Sequence, residues 1–118
     1  MSIRLAVTGG RDYSAPLHVY GFLDQMARDH DGIAVLIHGG AKGLDQLADD
    51  WARKREVTVM RVPAKWSKYA KAAGPLRNKE ILSWCPDALA VFPGGKGTED
   101  MVRRAKAEPS LAGRIFYA

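Results

Sequence analysis

The stretch ALAVFPGGKGTED, residues 88–100, passes from an apolar run through three glycines and into residues that favour a helix. A short apolar run is typical of a strand buried on both faces, and we predict Thr98 as the N-cap of the helix that follows. Glycines at such a junction let backbone N–H groups approach a phosphate closely. The same order recurs in IAVLIHGGAKGLD, residues 33–45, and more loosely in RLAVTGGRDYS, residues 4–14.

Segments typical of strands and helices alternate along the whole chain. Apolar runs predict strands at 3–7, 33–37, 57–62, 88–92 and 115–117. Helical spacing and helix-start residues predict helices at 14–30, capped by Ser14, and at 42–56, 75–84 and 98–107. This alternation predicts an α/β three-layer sandwich with a mainly parallel sheet of about five strands and helices on both faces. We expect residues 1–118 to form one domain, with an irregular segment at 63–74 that ends at Gly74-Pro75.

Composition excludes several classes of protein. Cys85 is the only cysteine in the 118 residues, which rules out an intrachain disulfide and a multi-cysteine metal site. No apolar run approaches the roughly 20 residues that span a bilayer, and the N-terminus lacks the pattern of a signal peptide. We therefore expect a cytoplasmic protein with no membrane partner and no bound metal cluster.

A basic block lies between residues 57 and 79, where the chain has no acidic residue. Its six members are Arg61, Lys65, Lys68, Lys71, Arg77 and Lys79. Such a block suits nucleotide phosphates or a nucleic-acid backbone, and it equally suits a solvated surface. Trp66 and Tyr69 lie within the block, either as rings that stack on a base or as core and lid residues.

In a parallel sheet, the loops after the strands lie along one edge, where ligands bind. We predict that the glycine-bearing turns converge there on an anion. The candidate ligand-binding residues are Gly9, Gly10, Arg11, Gly39, Gly40, Lys42, Gly43, Asp45, Arg77, Asn78, Gly94, Gly95, Lys96, Gly97 and Thr98. Neither G-x-x-x-x-G-K-[ST] nor G-x-G-x-x-G is present, which disfavours a P-loop NTPase and a dinucleotide dehydrogenase.

Several of these residues also have purely structural interpretations. Asp45 either caps its helix or accepts hydrogen bonds from a sugar hydroxyl. Glu99 and Asp100 are expected at the first two helical positions, where carboxylates complement the helix dipole and compete with a phosphate. Arg77 and Asn78 are expected in the first turn of the helix that begins at Pro75.

Four segments together resemble the SLOG superfamily of Rossmann-like proteins. The segments are VTGGRDY (7–13), HGGAKGLDQLADDWA (38–52), PAKWSKYAKAAGPLRNKEIL (63–82) and FPGGKGTEDMVRRA (92–105). The superfamily includes the Lonely Guy phosphoribohydrolases and the DNA-processing protein A family, and the chain is most similar to the YspA-like branch. The resemblance implies a nucleotide or nucleotide derivative at the sheet edge, with phosphate cradled by residues 93–98.

The resemblance also bears on catalysis. Lonely Guy enzymes have a catalytic glutamate three residues after the motif threonine, and Met101 occupies that position here. An enzymatic interpretation would use Arg77 to orient phosphate and Glu80, Glu99 or Asp100 as the carboxylate.

Three functions therefore stay open: binding a nucleotide, cleaving the N-glycosidic bond of a nucleoside 5'-monophosphate, and binding single-stranded nucleic acid. No cofactor is expected beyond Mg²⁺ arriving with a phosphate ligand. The resemblance also implies a homodimer.

Overall fold

The computed structural model describes residues 2–118, in which five strands form one sheet. The strands are β1 (Ile3–Thr8), β2 (Ile33–His38), β3 (Thr58–Arg61), β4 (Ala88–Val91) and β5 (Ile115–Tyr117). Every neighbouring pair is parallel, and the order across the sheet is β3-β2-β1-β4-β5. The predicted α/β architecture is therefore confirmed. That the chain forms a single domain stays a prediction.

Helices connect the strands as the alternating pattern predicts. They are α1 (Pro16–Asp29), α2 (Leu44–Lys54), a short α3 (Trp66–Tyr69), α4 (Ala73–Ser83) and α5 (Lys96–Lys106), with a 3₁₀ turn at Ala70–Ala72 between α3 and α4. Within residues 2–118, none of these helices has the length and apolar character needed to cross a membrane.

Each face of the sheet is covered by its own hydrophobic core. On one face, alternate strand residues such as Leu5 and Val7 pack with α1 and α2, whose Trp51 is almost fully buried. On the other face, Ala6 and the strand residues that point the same way, Ile37 and Leu89, pack with α4 and α5. Because both faces are buried, the central strands β1, β2 and β4 are apolar at most positions rather than at every second one.

The structure corrects two helix starts. Ser14 does not cap α1, because the N-cap is Ala15 and Pro16 takes the first helical position, where its missing N–H costs nothing. Gly74-Pro75 does not end an irregular segment. Helix α4 begins at Ala73, so Pro75 lies in its first turn, where the helix needs no N–H donor.

The start of α5 is also earlier than predicted. Gly95 is the N-cap, and its carbonyl accepts a hydrogen bond from the Glu99 N–H at 3.0 Å. Thr98 is thus the third helical residue rather than the cap, and Glu99 and Asp100 are the fourth and fifth rather than the first two. Glycine serves as an N-cap without a side-chain hydrogen bond, so the sequence pattern favoured the threonine instead.

The three glycine-bearing turns meet at the backbone of Gly10. Its N–H donates to the Pro93 carbonyl at 2.8 Å, and its carbonyl accepts from the Leu44 N–H at 3.0 Å. Gly43 has a φ of +72°, and a Cβ there would collide with the carbonyl oxygens of Gly10 and Arg11. The turn after β1 therefore contacts both the turn before α2 and the turn before α5.

This close approach predicts that Gly43→Ala lowers the free energy of unfolding by about 2 kcal/mol or more, because alanine adds both a backbone strain and a steric clash. The measurement is urea denaturation followed by circular dichroism. The matched control is Gly97→Ala in α5, where a Cβ would meet nothing within 4 Å and where alanine favours the helix. Equal stability of Gly43→Ala and Gly97→Ala would contradict the close approach.

Candidate functional site

A cavity of about 590 Å³ opens at the carboxyl edge of the sheet, beside β1, which lies between β2 and β4. Its volume is within the range of small-molecule sites. The predicted site residues that line it are Gly9, Gly10, Arg11, Gly39, Asp45, Arg77, Asn78, Gly95, Lys96, Gly97, Thr98 and Asp100. The structure does not bring the others to this cavity: they are Gly40, Lys42, Gly43, Glu80, Gly94 and Glu99.

The turn after β2 uses its backbone N–H groups within the protein. One carboxylate oxygen of Asp45 accepts from the N–H groups of Gly39 at 3.1 Å and Ala41 at 3.2 Å. The N–H of Gly40 donates to Nδ1 of His38 at 2.9 Å, while Nε2 of His38 contacts Asp49. These N–H groups are therefore already hydrogen-bonded within the protein, so they are not available to bind an anion.

Asp45 combines burial with hydrogen bonding. Burial raises the pKa of the Asp45 carboxyl, while the hydrogen bond from Ala41 and the nearby His38 and Arg77 act in the opposite direction. Asp45 does not cap α2, whose N-cap is Gly43 without a side-chain hydrogen bond. Its carboxylate holds instead the loop that leads into the helix.

Arg77 lies between the turn after β2 and helix α4. Its guanidinium donates to the Gly39 carbonyl at 2.7 Å, and its Nε donates to Oδ1 of Asn78 at 3.2 Å. Burial lowers the pKa of Arg77, and the charge of Asp45 counteracts that effect. A Cβ on Gly39 would overlap the guanidinium, so glycine at 39 makes room for the arginine. Arg77 is the fifth residue of α4 and lies beyond the first turn where it was expected.

Asn78 and Asp100 join α4 to α5. The Asn78 amide donates to the Gly97 carbonyl at 3.1 Å and to the Asp100 carboxylate at 3.0 Å. Asp100 also accepts from Nε of Arg104 at 2.9 Å. Burial opposes ionisation of Asp100, but the hydrogen bonds from Asn78 and Arg104 outweigh it and lower the pKa of the carboxyl. Both side chains therefore serve the packing of the two helices.

Three cations line the cavity and, within residues 2–118, make no hydrogen bond or ion pair with the protein: Arg11, Lys71 and Lys96. The guanidinium carbon of Arg11 lies 4.8 Å from the centre of the Trp66 ring, in a cation–π contact. Helix α5 has no side-chain cap, so its first N–H groups and the positive end of its dipole face this region. The arrangement favours an anion.

Two charged residues that line the cavity were absent from the sequence-based site. Lys71 belonged to the basic block without being assigned to the cavity, and Asp12 directly follows Arg11 in the first glycine turn. Trp66 lines the cavity and is 47% exposed, whereas Tyr69 does not line it. The position of Asp12 on the turn after β1 could have indicated a site residue, but the sequence alone does not show which way its side chain faces.

The predicted catalytic carboxylates do not converge. Met101 is buried and lines the cavity at the position where the Lonely Guy resemblance implies a glutamate. Glu80 and Glu99 are exposed and lie outside the cavity because their helix positions face elsewhere. Asp100 lines the cavity, but its carboxylate is hydrogen-bonded to Asn78 and Arg104. Within residues 2–118, no group of three or more metal-binding side chains is present.

A sequence model of the YspA, cpYpsA-related SLOG family matches residues 3–69. The chain belongs to this family. It is also 36% identical over 111 residues to the Gene 61 protein of Mycobacterium phage D29, an alignment that covers 87% of this chain and 88% of the phage protein. The resemblance inferred from the four segments is thereby confirmed.

Two solved structures share the fold of this SLOG domain. DNA processing protein A (DprA) from Streptococcus pneumoniae matches 98% of the chain with a TM-score of 0.68 and 20% identity. Glycinamide ribonucleotide transformylase 1 from Symbiobacterium toebii matches 98% with a TM-score of 0.53 and 16% identity. The chain spans about half the length of each. At these identities the likeness concerns the Rossmann-like fold.

The Asp100 contacts predict a pH-dependent contribution to stability. Because the folded pKa lies below the ordinary value of 3.8, the contribution is complete above that value and is lost as pH falls through the folded pKa. Asp100→Asn should lower the free energy of unfolding by about 1–3 kcal/mol at pH 7. The difference from the wild type should shrink below about pH 4, as the wild-type carboxyl takes up its proton.

Urea denaturation at pH 7, 5 and 3 measures this difference. Asp50→Asn is the matched control, since Asp50 is exposed on α2 and makes no hydrogen bond with the described residues. A stability difference for Asp100→Asn that is the same at all three pH values would contradict the ionised helix-to-helix contact.

Proposed function

We propose that this SLOG protein binds a nucleotide or nucleotide derivative in the 590 Å³ cavity, with a phosphate at the N-terminus of α5. Family membership and the DprA-like fold support a function related to nucleotides or nucleic acids. The observation that carries the finer proposal is the set of unpaired cations, Arg11, Lys71 and Lys96, around an uncapped helix N-terminus.

The proposed phosphate position is supported by the local balance of charge. Lys96 and the first N–H groups of α5 supply donors and positive potential. Asp100 is neutralised by Arg104 and Arg103, and the exposed Glu99 lies outside the cavity. The acidic residues that follow the PGGKGT motif therefore oppose a bound phosphate much less than their sequence positions suggest.

The proposed base and sugar positions use the opposite wall. Trp66 is half exposed there and already stacks against Arg11, so it offers a planar surface to a base. Asp12 has no partner among the described residues and offers acceptors to sugar hydroxyls. Recognition of a base by stacking tolerates several bases, which matches a wall that has few fixed donors and acceptors.

Binding is favoured over glycosidic cleavage by the side chain at position 101. Cleavage passes through an oxocarbenium-like state that a nearby carboxylate stabilises, and Met101 supplies only an apolar thioether. The unpaired Asp12 is the carboxylate on which an enzymatic alternative would depend. Release of base from a nucleoside monophosphate, lost in Asp12→Asn, would establish that alternative.

A second candidate, single-stranded nucleic-acid binding, is favoured by the surface of α3. Trp66 and Tyr69 are both more than a third exposed, and Lys65 and Lys68 flank them without carboxylate partners in residues 2–118. Stacking rings among cations are what sequence-independent binding to single strands requires.

The proposal predicts that at least one common mononucleotide raises the melting temperature. At about 100 times Kd the stabilisation is about 2.7 kcal/mol, or about 10 °C for a domain of this size. Gly95→Asp should weaken binding more than tenfold, because it places a negative charge beside the phosphate position. A side chain at 95 meets nothing within 4 Å, so the fold should persist.

Gly113→Asp is the matched control, since it adds the same charge at an equally open glycine that does not line the cavity. Differential scanning fluorimetry with the 5'-monophosphates and diphosphates of the four bases provides the readout. Absence of any shift in the wild type would refute nucleotide binding. Affinity for oligothymidylate that falls steeply with salt and is lost in Trp66→Ala would instead support the second candidate.

A further inference from the structure

A second cavity, of about 630 Å³, lies on the other side of the first turn of α5. Its walls come from the carboxyl ends of β4 and β5 and from the face of α5 that carries Val102 and Lys106. Thr98 lines both cavities, and the consecutive Gly94 and Gly95 line one each. The two cavities therefore meet at the PGGKGT turn, with the helix N-terminus between them.

The second cavity repeats the chemistry of the first. Tyr117 is 58% exposed in its wall, much as Trp66 is 47% exposed in the wall of the first cavity. Lys106 has no partner among the described residues, and the exposed Arg103 keeps donors beyond its contact with Asp100. Glu99 also lines this cavity and supplies a carboxylate, as Asp12 does in the first cavity, and its charge is offset by Arg103, four residues along the same face of α5, and by Lys106. An exposed ring, a cation and a carboxylate suit a nucleoside.

The backbone between the cavities presents little side-chain bulk. A Cβ at Gly95 would enter open space, so a side chain there would project into the surface that joins the two cavities. A Cβ at Gly94 would overlap the Thr98 hydroxyl, so a side chain there would distort that surface. The first N–H groups of α5 point toward the same place. A diphosphate lying across the turn would therefore meet donors without steric obstruction.

We propose that the second cavity binds the second nucleoside of a dinucleoside diphosphate, whose first nucleoside occupies the 590 Å³ cavity and whose diphosphate lies over Gly94 and Gly95. The inference rests on the proposed function and names its ligand class. The cations on the rim favour this occupant over an apolar protein segment, because Lys106 and the donors of Arg103 that do not contact Asp100 would have no partner against apolar side chains.

Isothermal titration calorimetry tests the assignment. The nucleoside diphosphates of adenine, guanine, cytosine and uracil are measured first, and the best binder is compared with the symmetric dinucleoside diphosphate of the same base. Two linked halves should bind at least about tenfold more tightly than one. In Tyr117→Ala/Lys106→Ala this advantage should disappear, while the affinity for the nucleoside diphosphate changes by less than about twofold.

Trp84→Ala/Lys79→Ala is the matched control, because it removes an exposed ring and an exposed lysine outside both cavities. The single variant Lys106→Ala is measured as well, in case loss of Tyr117 unfolds β5. It should reduce the affinity advantage of the dinucleoside diphosphate over the nucleoside diphosphate by at least about threefold.

The outcomes separate the two proposals. Tight binding of a nucleoside diphosphate with no advantage for the dinucleoside, or an advantage that survives in both variants, overturns the second subsite and leaves the proposed function intact. Failure of every nucleoside diphosphate and dinucleoside diphosphate to bind the wild type overturns both.

Discussion

The backbone of Gly10 makes the contacts on which the carboxyl edge of this protein depends. Its N–H and its carbonyl are hydrogen-bonded to two different loops, which follow β4 and precede α2. Gly43 and Gly94 have no space for a Cβ at the same junction. The floor of the cavity is therefore backbone packed on backbone. Such a floor carries few rotatable groups, so the relative positions of the three turns are fixed at a small cost in side-chain conformational entropy.

The three glycine turns differ in what they leave available. In the turn after β2, backbone N–H groups donate to the side chains of Asp45 and His38. In the turn after β1, the N–H groups of Gly10 and Tyr13 donate to backbone carbonyl groups. Helices α1, α2 and α5 all lack a capping side chain, but α1 begins at Pro16, which has no N–H, and the first N–H of α2, that of Leu44, donates to the Gly10 carbonyl. The PGGKGT turn leads into α5, whose first residues line the cavity. Anion affinity should thus be concentrated at α5, and the other glycines build the surface on which α5 is presented.

Much of the fold could be predicted from periodicity, because strands buried on both faces are apolar throughout and the helices between them are amphipathic. The site was less accessible to that reasoning. The sequence does not distinguish an Asp45 that binds a sugar from one that accepts hydrogen bonds from Gly39 and Ala41, because only the conformation of the loop determines which groups the carboxylate reaches. Likewise, the sequence pattern favoured Thr98 as the N-cap of α5, whereas the N-cap is Gly95. The second cavity is lined by residues near positions 92, 103 and 117, which are far apart in the sequence and share no local pattern.

Met101 is best understood through the charges around it. A carboxylate at this buried position would lie one residue from Asp100 and close to the proposed phosphate, so it would have to be stabilised by the cations that now stand unpaired. A thioether removes that competition and leaves Arg11, Lys71 and Lys96 for the proposed nucleotide. It also removes the group that would stabilise a developing oxocarbenium ion. An interaction made equally in the ground state and the transition state gives affinity without lowering the barrier to reaction, which is what the proposed binding function requires.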